Sequence, residues 1–336
     1  MITIAGAGVM GCSVAYHLAA KGVRDIVVVD RAPDFGGGST PKATGGFRGQ
    51  FDSETNVRLS LLSREKLREF DSGYRSCGYL FLARGEEELA ALEAAQRVQH
   101  AAGLTEARMI TAAEARELNP VIADPSISGG TFCPTDGFIR ALKILRHYAD
   151  SARDLGVKFE FNREVNVDEL EGDLVINALG AWAGAPIRPL RRNVIATVET
   201  DVLPETTPMT VWAGDWFHLR VRDGRVLLLW PDDPCVDDEA WLAEVLRLAR
   251  ERVPLLCDLP IAERWSGLYE MSPDGHALLG KVRDNHYIAA GSSGHGVMHA
   301  PALGHLLAEL IVDGKTSIDI APLDPCRFRN AGVPAG

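Results

Sequence analysis

Cysteine is scarce, and what there is stands badly for cross-linking: positions 12, 77, 133, 235, 257 and 326 include no Cys-x-x-Cys pair and no metal-like spacing from histidine. A disulfide scaffold and a zinc module are excluded, no metal site is expected, and reduced thiols in a cytoplasmic protein are the plain reading. Long uncharged apolar runs are missing as well, so no segment reaches the roughly 18 residues needed to cross a bilayer. Met1 to Ala20 is apolar but carries no basic leader, so it reads as the start of the fold and not as a signal peptide. Basic clusters are absent too. With 35 Lys+Arg against 46 Asp+Glu and a net charge of -11, no surface is concentrated enough in base to neutralise a phosphate backbone, which sets nucleic acid aside. There is no internal repeat and no low-complexity stretch.

Glycine is plentiful, at 33 of 336 residues, in a chain that is 46% hydrophobic and 24% charged. At about 150 residues per domain, the length implies two domains. Met1 to Ala5 reads as a buried strand, Val9 to Lys21 as a helix ending at Gly22, and Ile26 to Asp30 as a second buried strand. Strand, glycine turn, helix, strand is a βαβ opening and sets the fold class as α/β, with a parallel sheet. Further along, helices are predicted over Ser53 to Phe70, Glu86 to Ala101, Phe138 to Leu155, Asp237 to Arg252 and Val297 to Val312, with a capping box at Thr111 and Glu114. Strands are predicted over Cys77 to Ala83, Val157 to Phe161, Asp173 to Gly180, Arg191 to Thr200 and Tyr287 to Ala290. Asp223-Gly224, between Leu219 to Arg222 and Val226 to Leu229, marks a two-residue hairpin. The implied organisation is a discontinuous Rossmann-like dinucleotide-binding domain over 1–75, 137–186 and 265–336. A second domain on a mixed, largely antiparallel sheet takes 76–136 and 187–264.

Gly6-Ala-Gly8-Val-Met-Gly11 opens the first helix, and Asp30 ends the next strand. Gly6 permits the tight turn, Gly8 lets backbone approach a pyrophosphate, Gly11 lets helix and strand pack closely, and Asp30 is placed to accept from an adenosine ribose. This fingerprint alone does not separate NAD from FAD. Further glycine clusters at Gly36 to Thr40, Thr44 to Gly46, Leu179 to Gly180 and Gly291 to Gly296 offer more points of close backbone approach, and together they favour the longer FAD.

Met1 to Ala19, Ala43 to Phe51 and Gly291 to Pro301, in that order, resemble the D-amino-acid oxidase superfamily of flavoproteins, on the branch of sarcosine oxidase β-subunit, glycine oxidase and amino-acid dehydrogenase. The resemblance runs from residue 1 to about 327. It implies FAD bound by Gly6, Gly8, Val9, Met10, Gly11, Asp30 and Arg31, with Ser39 and Thr40 near the pyrophosphate and Thr44, Gly45 and Gly46 beside the flavin. It also implies Val165 at the adenine, Gly180 and Trp182 in the second nucleotide-contacting turn, and Gly294, His295, Gly296, Val297 and Met298 at the flavin's pyrimidine edge. Relatives with a thioether link to flavin carry cysteine where this chain has Gly267, so the expected FAD is noncovalent.

The resemblance places Arg48 and Tyr269 at the substrate carboxylate, where a guanidinium fork suits two oxygens. His295 is the remaining candidate for a catalytic role, although its place between Gly294 and Gly296 fits orientation better than proton transfer. His218 and Arg220 on the predicted hairpin are within reach from the second domain. Met298 replaces a lysine that helps hold the carboxylate in sarcosine oxidases, which leaves room for a larger or more apolar amino acid. The expected activity is dehydrogenation of an amino acid or N-substituted amino acid to an imine by hydride transfer to flavin N5. Two alternatives stay open: a 2-hydroxy-acid dehydrogenase on the same fold, with a histidine as base, and a flavin-carrying subunit active only with a partner. Partner subunits or a homo-oligomer are compatible with either.

Overall fold

A computed structural model describes residues 1–170, 172–231 and 237–328. Cys235 and the last residues assigned to the nucleotide-binding part, 329–336, lie outside the described residues. In chain order the first elements are β1 (Ile2–Ala5), α1 (Val9–Ala20), β2 (Ile26–Val29), β3 (Gly46–Phe47), α2 (Glu54–Leu67), β4 (Tyr79–Arg84) and α3 (Gly85–Ala101). There follow β5 (Arg108–Thr111), α4 (Ala112–Leu118), β6 (Ile127–Cys133), β7 (Gly137–Phe138), α5 (Ala141–Asp154), β8 (Lys158–Glu160) and β9 (Leu174–Asn177). The rest are β10 (Arg188–Glu199), β11 (Met209–Trp212), β12 (His218–Arg222), β13 (Arg225–Leu229), α6 (Asp238–Arg252), β14 (Ile261–Met271), β15 (Leu278–Arg283), β16 (His286–Ala290) and α7 (Gly296–Asp313).

Two sheets carry the molecule. The first has six strands in the order β15-β16-β9-β1-β2-β8, parallel throughout except where β15 turns back on β16. Its central strands β1, β2 and β9 are short and mostly apolar, because a parallel sheet hides both faces there, whereas edge strand β8, Lys-Phe-Glu, is largely exposed. Helix α1 packs against both α5 and α7. The α1–α7 approach is close: a Cβ added to Gly304 of α7 would stand 2.2 Å from Ser13 Oγ, whose hydroxyl donates to Ala300 O at 2.7 Å.

The second sheet has eight strands, β14-β10-β13-β12-β11-β4-β6-β5, antiparallel except for the parallel pair β11 and β4. Asp223 and Gly224, with φ of 56° and 71°, make the two-residue turn between β12 and β13, the left-handed pair that matches strand twist. The capping box at α4 is formed: Thr111 N–H donates to Glu114 Oε2 at 2.8 Å and Glu114 N–H to Thr111 Oγ1 at 3.2 Å. Asp237 caps α6 by accepting from the N–H groups of Glu239 and Ala240.

Several elements differ from expectation: the short strands β3, β5, β7, β11 and β15 were not predicted, and three further differences bear on the architecture. Helix α5 starts at Ala141, not Phe138, because Phe138 is paired with Gly46 of β3 and Arg140 is still extended. Strand β6, Ile-Ser-Gly-Gly-Thr-Phe-Cys, was not predicted; its glycines serve close packing, since a Cβ on Gly130 would meet Phe81 O at 2.0 Å. Strand β14 was not expected either. It pairs with β10 from Ile261 to Met271, so the boundary set at residue 265 falls inside a strand of the second sheet.

Candidate functional site

The first site is made of backbone. Gly6 leaves β1 with φ 108°, and a Cβ there would meet Ala178 O at 2.4 Å. Gly11 is tighter still, 1.9 Å from Gly6 O by the same measure, so it is a packing residue that seats α1 on β1 and does not itself line the groove. Gly8 is the N-cap of α1 in extended conformation, and a Cβ on it would meet only Thr40 Oγ1, at 3.5 Å. The first turn of α1 holds no acidic residue and no side-chain cap. Its free N–H groups and partial positive charge suit a phosphate. Val9 N–H donates to Thr40 Oγ1 at 3.2 Å, which ties the loop after β2 to this helix start.

These residues open on a groove of about 390 Å³. Of the residues expected at the cofactor, Gly6, Gly8, Val9, Met10, Asp30, Arg31, Ser39 and Thr40 line it, together with Val165, Gly180, Trp182, Gly294, Gly296 and Val297. Asp30 does more than face the groove. Its Oδ2 accepts from Ala7 N–H at 2.6 Å and its Oδ1 from Ala32 N–H at 2.8 Å, so it also braces the glycine turn. Arg31 stacks on Trp182 at 4.5 Å, giving a flat cationic rim beside Val165. The groove accepts a long dinucleotide on its own geometry, with a bare helix start and glycines where a side chain would fill the path. Among the described residues no cysteine lines it, and Gly267 stands in its wall without a thiol.

The second site is made of side chains. A cavity of about 460 Å³ shares Lys42, Ala43, Gly267, Tyr269, Gly294 and Val297 with the groove, so the two run into each other. Thr44, Gly45, Gly46, Arg48, Tyr269, His295 and Met298 line it. Gly45 has φ 79° and sits where a Cβ would meet Ile139 O at 2.3 Å, which presses this loop into the cavity wall. Arg220 supports it from behind: fully buried, it donates to Thr44 O, stacks on Phe138 at 3.7 Å, and is held by burial at a pKa of about 9.

Arg48 is the chemical centre of the cavity. Its guanidinium lies over Phe51 at 3.7 Å, donates to Gln50 O, and stands 3.2 Å from His295 Nε2, with no carboxylate in ion-pair contact among the described residues. Burial lowers its pKa. Since a guanidinium only donates, His295 Nε2 accepts and the ring proton resides on Nδ1. Burial, and then the Arg48 cation, hold the pKa of His295 well below the usual histidine range. His299 behind it accepts from or donates to Ser60 Oγ at 2.9 Å and is held at a pKa of about 3, chiefly by burial.

The loop carrying Arg48 is tied down by a residue the sequence did not reveal. Asp136, fully buried, accepts from Gly49 N–H at 2.6 Å and from Gln50 Nε2 at 3.2 Å, and burial pushes its pKa up to about 6. Tyr269 packs its ring on Gly294, where a Cβ would meet Cε2 at 2.4 Å, and burial raises the pKa of its hydroxyl. His218 lines the cavity, with Nδ1 2.7 Å from Trp216 O and a pKa lowered by burial to about 4. Tyr79, Phe81, Val194, Met209, Val211, Trp216 and Leu229 give the cavity an apolar wall, and Arg192 lines it beside Tyr269, 5.9 Å from that ring. None of these wall residues was singled out from sequence, because apart from Trp216, on the turn between β11 and β12, each is an unremarkable strand residue until the sheet brings them together.

A helix start free of acidic residues feeding a dinucleotide groove, joined to a largely apolar cavity in which Arg48 has no carboxylate in ion-pair contact among the described residues, fits a nucleotide-cofactor oxidoreductase. Residues 1–310 match the family described as FAD dependent oxidoreductase; the chain belongs to that family, and FAD is its cofactor. It is 26% identical to glycine oxidase of Geobacillus kaustophilus over 97% of this chain and 96% of that protein. It is also 26% identical to rat mitochondrial dimethylglycine dehydrogenase, over 97% of this chain but only 44% of that longer protein. Among solved structures, L-proline dehydrogenase from P. horikoshii superposes with a TM-score of 0.89 and 28% identity, covering 99% of this chain and 98% of that one. No helix among the described residues is long and apolar enough to cross a membrane.

Proposed function

We propose that this chain dehydrogenates an apolar amino acid or N-alkyl amino acid at the carbon beside nitrogen. The observation that carries the reading is the Arg48 guanidinium, held by Gln50 O and His295 but facing no carboxylate among the described residues, in a largely apolar cavity continuous with the cofactor groove. Bound FAD supplies a ring nitrogen that takes the hydride. The α1 N-terminus with Gly6, Gly8, Val9, Met10, Ser39 and Thr40 would hold the pyrophosphate, and Asp30, Arg31, Val165, Gly180 and Trp182 the adenosine. Thr44, Gly45 and Gly46 would lie along the flavin. Gly294, Gly296 and Val297 stand at the α7 N-terminus, whose first turn has no acidic residue and no side-chain cap, and its partial positive charge would favour negative charge on a flavin held there.

Arg48 would bind the substrate carboxylate with both arms of its fork, Tyr269 would border that end, and His295 would keep the fork turned inward. The rival reading, oxidation of a 2-hydroxy acid, needs a base at the hydroxyl. His295 Nε2 is engaged by Arg48, and the pKa of about 4 leaves His218 a weak base. An amine arriving neutral needs neither. The names of the relatives, with proline, glycine and dimethylglycine as substrates, agree with this class. The test is anaerobic: the purified yellow protein is mixed with L-proline, glycine, dimethylglycine, larger apolar amino acids and 2-hydroxy acids while flavin absorbance is followed. Bleaching by an apolar amino acid is expected. Bleaching by hydroxy acids alone would replace this reading with the rival, and a flavin that none of them reduces would point to a partner-dependent subunit.

A further inference from the structure

The cavity is roofed by a residue in a conformation its side chain disfavours. Trp216 has φ 61°, in the left-handed region where a bulky residue is a rarity. Its ring is not there to fill a core: it is 47% exposed, meets Phe81 edge-on at 6.0 Å, and has the Arg48 guanidinium 5.8 Å from its centre. Yet the turn that carries it is anchored firmly. Asp215 next to it takes both arms of Arg252, an almost fully buried guanidinium, and stands 3.4 Å from Arg84 as well. Gly214 before it lies against the Glu88 carboxylate, so a Cβ there would stand 2.1 Å from Oε1 and displace that side chain. Trp216 N–H donates to Trp212 O at 2.7 Å, and its own carbonyl pairs with His218.

Strained backbone persists where the surroundings over-determine it, and such places cluster at ligand sites. Half-exposed, the tryptophan gains only the edge contact with Phe81 and the Arg48 guanidinium against that strain, whereas glycine would fit this backbone freely. We infer that Trp216, with Phe81, is the specificity-determining surface for the part of the substrate that does not react, stacking on a bulky apolar side chain or N-substituent while Arg48 holds the carboxylate. This rests on the amino-acid reading above. The fixed span between the Arg48 fork and the Trp216 ring then acts as a gauge: small substrates touch only Arg48, larger ones both.

The test is Trp216→Gly, with benzoate and acetate as unreactive carboxylate probes titrated against the flavin spectrum of the holoenzyme. The expected result is benzoate binding weakened about tenfold, from loss of an aromatic stacking contact, with acetate binding unchanged and the melting temperature of the protein equal to or above wild type. In turnover, KM should rise for a large apolar amino acid and stay level for a small one. Equal weakening of both carboxylates, or a marked fall in melting temperature, would make Trp216 a structural residue and overturn the inference. Trp216→Phe keeps a ring and should restore most of the benzoate affinity; failure to do so would also overturn it. If wild type binds benzoate but no amine reduces its flavin, the functional reading fails while the gauge stands.

Discussion

The cofactor groove and the substrate cavity adjoin, yet they are built from different materials. The groove is backbone: glycines at 6, 8 and 180, a bare helix start, and few side chains with a job of their own. The cavity is side chains, and the decisive ones are ionisable groups in or behind its wall, half-buried Arg48 and His295 and fully buried His299 and Asp136, whose pKa values are all displaced by desolvation. A backbone site depends on space and tolerates loss of charge; a side-chain site depends on desolvated charge and tolerates loss of shape.

That contrast can be broken at its strongest point first. Gly11→Val puts methyl groups where Gly6 O already stands, so it should unseat α1 from β1 and cost on the order of 3 kcal/mol or more through overpacking. The expected outcome is little soluble protein, with or without added FAD. If Gly11→Val folds normally and merely loses flavin, the groove is looser than described. Arg48→Met comes next. It should keep the yellow spectrum and the fold and lose on the order of 100-fold in kcat/KM, about 2.7 kcal/mol, for want of the carboxylate fork; steady-state kinetics and the visible spectrum read both.

The acid side of the stability profile sharpens the same comparison. His299 has a folded pKa of about 3 against an ordinary 6.5, so the unfolded chain binds the proton first. Its contribution is therefore full above pH 6.5 and drains away as pH falls toward 3. Between pH 7 and 5 that amounts to on the order of 2 kcal/mol. His299→Gln should flatten the fall in unfolding free energy over that interval by this amount. Asp136 works in the opposite sense, because its raised pKa of about 6 gives a contribution that is present at low pH and lost as pH rises through 6. Denaturant titrations at the two pH values decide. Gly8→Ala is the smallest change. The added Cβ meets only Thr40 Oγ1 at 3.5 Å, so the apoprotein should melt as wild type while FAD affinity drops about tenfold, the methyl standing where phosphate approaches. Unchanged FAD affinity would move the pyrophosphate elsewhere in the groove.

The same contrast explains what could be read from sequence. Gly6, Gly8 and Gly11 lie within one turn of chain, and Asp223-Gly224 and Thr111 to Glu114 are local devices whose residues meet whatever the rest does. Arg48, Tyr269 and His295 were found through resemblance, and the cavity does gather them. Asp136, Tyr79 and Trp216 were not found, since nothing within a few residues of them signals a role: Asp136 acts on a loop 86 or more residues away, and Trp216 is notable only for its backbone angle. Strand β14 was hidden for a related reason. Its residues are partly exposed along most of its length, so no alternation marks it, and pairing with β10 makes it a strand.

The order of strands in the first sheet has a consequence for how the protein is made. β1 sits between β2 and β9, and β9 between β1 and β16, so the walls of the groove come from residues 2, 174 and 286 onward. At roughly 5 to 20 residues per second, the start of that sheet waits on the order of 15 to 60 s of synthesis before its last parallel neighbour exists. A fragment ending before β16 lacks Ser292, Gly294, Gly296 and Val297 of the groove. A nascent chain halted there would leave β9 without its β16 neighbour, and the groove reaches its full lining only once α7 has begun.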